Sequence, residues 1–252
     1  MPRPEKVQGD EVPAQTFISR TLRQAGWEIR NTLSNGEQLL LILIIPLAAL
    51  VGLTYLPFGF ADGDISQVVS GVLSVSLLAT GFTSMAIATG FDRRSSALAY
   101  LGTTPLGRPA LITGKLIAAI FVSIAAIAIV LAAAVIIGWR PTLSSLWLIP
   151  VTIMILTVYV PWALVLASLI RAEATLAMAN AIFVLAMLFG GVLIPASSLP
   201  YGSHIGWLPF AAATEVLSGA LSLTVIPSLA IITLAIWAIV GILTAIRTFR
   251  WR

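Results

Sequence analysis

The sequence predicts an all-α polytopic membrane protein with six transmembrane helices, an amino-terminal interfacial helix and a broken, re-entrant outer segment between the fifth and sixth spans. Three observations carry this. Apolar residues make up 59% of the chain and charged residues only 10%, a balance foreign to soluble domains. Several apolar runs approach or exceed the roughly 20 residues that a membrane-spanning helix needs. The other fold that satisfies its backbone in hydrocarbon, the β-barrel, needs short segments of alternating hydropathy, and the sequence shows none.

Residues 1–14 combine Pro with charge and read as a flexible tail. From 15 to 34, Ile18, Leu22, Ala25, Ile29 and Leu33 recur at spacings of three and four among Arg20, Arg23, Gln24, Glu28 and Arg30, which predicts an amphipathic helix in the interface. An ordinary solvated helix packed on protein is the alternative. The first apolar run begins at Gln38 with no small-residue cleavage site ahead of it, so no secretory signal is expected. Spans are placed at 38–57, 67–90, 114–138, 146–170, 172–194 and 223–246, with Pro46, Pro150 and Pro161 inside them as kinks.

Orientation follows from Lys and Arg. Thirteen of them lie in the amino-terminal segment, the 91–115 stretch, Arg171 and the carboxyl tail, against Arg140 alone on the other side. Both termini and the 91–113 loop are therefore expected in the cytoplasm, with Asp62, Asp64 and Glu215 outside. Since the net charge of +4 flanks membrane helices, it does not suggest nucleic acid. Residues 195–221 are too apolar for a free loop and too broken by Pro200, Gly202, Gly206 and Pro209 to cross, so short helices dipping in from outside are expected, with Tyr201 and Trp207 at headgroup depth. A plain structured outer loop is the alternative.

No catalytic pattern emerges. Gly107–Leu116 superficially suggests a phosphate-binding loop, but Pro109 stands where the first glycine belongs and Leu116 where Ser or Thr belongs. His204 is the only histidine and has no catalytic neighbours, while zero cysteines exclude thiolate chemistry and disulfides. The chain is not expected to be an enzyme or to hold a metal or cofactor. No Asp, Glu, Lys, Arg or His lies near the middle of any span, since Glu173 and Lys115 fall near the cytoplasmic mouth, where Lys115 can snorkel. A coupling proton has nowhere to load.

Two stripes of residues could line a path. In the second span Ser66, Ser70, Ser74, Ser76, Thr80 and Ser84 fall within an arc of roughly 160°. In the fifth, Leu176, Asn180, Phe183 and Met187 share a face, and Asn180 is the only amide in a span interior. Either stripe could equally serve helix packing.

The longest polar interruption, from Phe91 to Lys115, holds Asp92, Arg93, Arg94 and Arg108, with Asp92 expected as N-cap or first-turn acid of a short helix that Pro105, Gly107 and Pro109 stop. Its run of Asp92-Arg93, Leu98, Leu101, Thr104-Pro105-Leu106-Gly107-Arg108 and Gly114-Lys115 resembles the membrane subunits of type-2 ATP-binding-cassette (ABC) exporters, as do Leu199-Pro200 and Leu208-Pro209 in the outer segment. Phe210–Glu215 departs from the Pro-x-Thr-Tyr-like run often found there. The resemblance implies a coupling helix near 91–102, with Asp92, Arg93, Arg94, Leu98, Tyr100 and Leu101 facing a separate ATPase, two copies of which bind ATP and Mg. It also implies a second permease copy, or a related one, enclosing a path lined by Ser70, Ser74, Thr80, Ser84, Asn180, Phe183 and Met187. Export of drug-like or lipid-like amphipathic compounds across the cell membrane is the expectation. A secondary transporter or channel, or a non-transporting membrane module, are the alternatives.

Overall fold

The computed structural model describes residues 16–55, 65–190, 206–221 and 227–249. Among them it is all-α, in nine helices. Helix α1 covers Phe17–Ser34. Helix α2 comprises Gly36–Leu39, a π turn over Leu40–Ile44 and Ile45–Tyr55. Helix α3 runs Ile65–Arg94 with a π turn over Ala79–Ser84, and α4 is Ala97–Gly102. Helix α5 is Arg108–Ile137; α6 is Leu148–Leu169, led in by a 3-10 turn over Leu143–Trp147. Helices α7, α8 and α9 are Ala172–Phe189, Pro209–Leu221 and Ser228–Thr248.

Among the described residues five helices are long and apolar enough to cross a membrane, with the shorter apolar Leu40–Tyr55 in place of the first predicted span. The π turn over Leu40–Ile44 directly precedes Pro46, whose ring would strike the carbonyl of Ile42 in a regular helix. Widening that turn relieves the clash. Helices α3 and α5 are each 30 residues long. At 1.5 Å per residue that is about 45 Å, more than a hydrocarbon core of about 30 Å. Their excess places charged groups beyond the apolar layer.

Helices α3 and α6 are largely buried, whereas α5, α7 and α9 bury a third or less of their most apolar window. The core therefore runs between α3 and α6, where Leu73, Leu77, Ile155 and Leu156 meet Val216 and Leu217 of α8. Apolar burial does not itself drive association in lipid, so close packing at small residues matters more. A Cβ on Gly81 would fall 2.5 Å from Leu156, and one on Gly241 2.7 Å from the Trp162 indole nitrogen, so α3 and α9 each pack against α6 at a glycine.

Helix α1 turns its polar residues Thr21, Gln24 and Glu28 inward, leaving Ile18, Leu22 and Leu33 exposed. On a helix at the membrane surface that is the apolar side lipid would cover. Helix α8 runs beside the spans instead of beyond their ends: Phe210 packs at 6.2 Å from the Tyr159 ring, and the Ser218 hydroxyl lies 2.6 Å from that of Ser70. The expectations for the 1–14 tail, Asp62, Asp64, Leu199, Pro200, Tyr201 and His204 fall outside the described residues.

Candidate functional site: the charged junction at the α4 end

Asp92 does not cap a loop helix. It lies in the last turn of α3, which continues to Arg94 before the chain turns. The spacing that suggested a cap is the end of the span itself, extended past the apolar layer. Ser96 makes the turn with φ of 63°, the only positive φ outside glycine among the described residues. That conformation costs an L-residue about 1–2 kcal/mol, so surrounding contacts must hold it. Helix α4 then ends where the hydroxyls of Thr103 and Thr104 donate to the carbonyls of Tyr100 and Leu101, at 2.7 and 2.6 Å. Gly107, at φ of 73°, redirects the chain into α5, with Pro109 in its first turn.

Lys115 does not snorkel. It is fully buried, with Nζ 2.7 Å from Glu28 Oε1 and 3.4 Å from Asp92 Oδ2. Gln24 Nε2 donates to the same Glu28 oxygen at 2.8 Å. One ammonium therefore joins α1, α3 and α5. Removing a lysine from water costs several kcal/mol unless its partners offset it, and here two carboxylates do. The contact is possible because Gly114 lets α1 come close: a Cβ there would lie 2.8 Å from Gln24 Cγ. Gly114→Ala will displace Gln24 and cost about 1–3 kcal/mol, as overpacking does. Thermal unfolding checks it, and adding Gln24→Ala should recover part of the loss.

The arginines also face the chain's own helices. Arg93 Nη1 donates to the carbonyls of Ala167 and Ser168 at 2.8 and 2.7 Å, satisfying acceptors that the end of α6 leaves open. Arg94 pairs with Glu173 of α7 at 2.6 Å, but both side chains are more than half exposed and the pair contributes little. Arg20 of α1 donates to the carbonyl of Pro105, fastening the loop from the other side. Leu98 is 1% exposed, packed with Leu111, Val160, Leu164 and Phe249, and Leu101 is partly buried against the same cluster. Tyr100 is 73% exposed. Of the six residues assigned to a partner, Tyr100 and Arg94 face outward, and the other four hold α4 in place.

The stripe residues separate in space. Ser70, Ser74 and Thr80 are buried; Ser74 and Thr80 donate to the carbonyls of Ser70 and Ser76, each at 2.9 Å, and Ser70 meets Ser218 of α8. Thr80 and Ser84 reach a cavity of about 30 Å³ beside Glu28 and Gln38, room for about one water. On α7, Asn180 is exposed while Phe183 and Met187 are partly buried. Sequence reasoning passed over Glu28 as a solvated wheel position. Its signal was a carboxylate and Gln24 on one helical face, one turn apart.

The family model for the ABC-2 type transporter matches residues 25–222, and the chain belongs to that family. It is thus the membrane component of an ABC-type transporter and a multi-pass membrane protein. No curated protein matches it.

Proposed function

We propose that the chain is the permease subunit of an ATP-driven exporter, with α4 seated on a separate ATPase and two permease copies enclosing the path. What supports this most is the mounting of α4. Leu98 anchors it in the core, Lys115 and Arg93 lock the helices on either side, and Tyr100 stands free. A contact that transmits force must be stiff behind and open in front. The excess of Lys and Arg at this end supports a cytoplasmic side for it and for both termini.

The partner ATPase binds ATP and Mg and hydrolyses the nucleotide, and this chain supplies the moving walls. Asn180, exposed within a span, is costly against lipid and suited to a partner helix or a cavity. With Phe183 and Met187 beside it, the face fits an amphipathic, drug-like or lipid-like cargo. Asn180→Leu should alter which compounds are carried more than it alters the amount of protein, and an unchanged transport profile would return that face to plain packing.

The chain has no cysteine, so a single one introduced by Tyr100→Cys gives an unambiguous probe. Cross-linking in the native membrane is expected to join it to an ATP-hydrolysing subunit. Uphill solute movement by the purified chain alone in vesicles would refute the proposal.

A further inference from the structure

An apolar groove of 310 Å³ opens between α6, α7 and α9, roofed by Phe210 at the start of α8. It continues along α7 into a second hollow of 450 Å³ that shares Ile182 and Phe210. Each is the size of a drug-sized ligand site, and neither described lining contains Asp, Glu, Lys, Arg or His. The first is walled by five aromatic rings, Phe82 from α3, Tyr159 and Trp162 from α6, Trp237 from α9 and Phe210, with aliphatic residues between them and Ile182 on the α7 side.

The indole donors in this wall are already used. Trp162 Nε1 donates to the carbonyl of Trp237 at 3.1 Å, and Trp237 Nε1 to that of Trp207 at 3.0 Å. They present only ring surface. The Tyr159 hydroxyl has no partner among the described residues, although the residue is 3% exposed.

Depth decides what could pair with it. Tyr159 lies ten residues before Leu169, the end of α6, or about 15 Å along the axis. That is near the middle of a hydrocarbon layer about 30 Å thick. The ester and phosphate acceptors of a lipid stay at the interface, and its acyl chain has none. The rings favour other rings, through edge and offset contacts that a flexible chain cannot make.

We propose that this groove is a binding site for a neutral, ring-bearing apolar molecule that carries one hydrogen-bond acceptor, received by the Tyr159 hydroxyl. The site is separate from the serine and Asn180 stripes, and occupancy requires no ATPase. Binding can therefore fail or succeed independently of the transport reading.

Benzophenone, two rings on one carbonyl, is both ligand and photochemical label. With the purified full-length chain in phosphatidylcholine nanodiscs, irradiation at rising benzophenone concentration should give saturable adducts on groove residues. Tyr159→Phe should raise the half-saturating concentration about three- to tenfold, the loss of one hydrogen bond. Diphenylmethane, lacking the carbonyl, should compete more weakly than benzophenone in the parent chain and equally in Tyr159→Phe. Ile182→Trp, which narrows the groove from the α7 side, should remove the saturable adducts. Adducts spread over exposed positions such as Phe121 and Ile129, no response to Tyr159→Phe, or no groove labelling would each overturn the proposal.

Discussion

Replacing Lys115 with methionine will destabilise the protein by about 3–5 kcal/mol, the usual result of removing one partner from a buried ion pair. The cost arises from what is left behind. Glu28 is 7% exposed and loses the cation that holds its carboxylate inside, while Gln24 can offer only a neutral hydrogen bond. Asp92, whose side chain is 22% exposed, can reach water and suffers less. The double variant Lys115→Met, Glu28→Met should therefore regain most of the lost stability, because an apolar pair of similar volume does not carry the desolvation penalty. Thermal unfolding of the two variants side by side checks it. Equal losses in both would mean that the ion pair does not hold α1 to α5.

The second large effect separates two neighbours in α4. Leu98→Asp will abolish folded protein, or nearly so, because truncating a buried leucine alone costs about 2–5 kcal/mol and an unpaired buried carboxylate adds to it. Tyr100→Asp will leave folding intact, since surface substitutions commonly fall within about 0.5 kcal/mol, and will reduce ATPase-driven transport instead. The measurements are the yield of monodisperse protein and transport by the co-expressed system. If Leu98→Asp folded normally and failed only in transport, Leu98 would face the partner and not the core.

The contrast shows which links were legible in the sequence. Hydropathy made the all-α, multi-pass membrane class legible because burial in lipid acts on long stretches, and the motif around Asp92, Leu98 and Lys115 pointed to the family. Which way each side chain points there was not legible. Lys115 and Glu28 are 87 positions apart, and nothing local to either shows that Gly114 brings their helices together. Asp92 looked like a cap because a span that outruns the apolar layer ends in polar residues, as a loop helix begins with them. Leu98 looked like a partner contact because a six-residue helix has too little periodicity to tell its inner face from its outer one.

The wide turn over Ala79–Ser84 fixes the angular relation between the two halves of α3. One residue of helix is about 100° of rotation. Were the slack of that turn to migrate along the helix or be taken up, the lower half would swivel, carrying the Asp92 carboxylate off Lys115 and the Arg93 guanidinium off the last carbonyls of α6, while Ser70 kept its hold on Ser218. The second span is in this sense a shaft with a joint at mid-length, and torque applied at its lower end need not reach the upper.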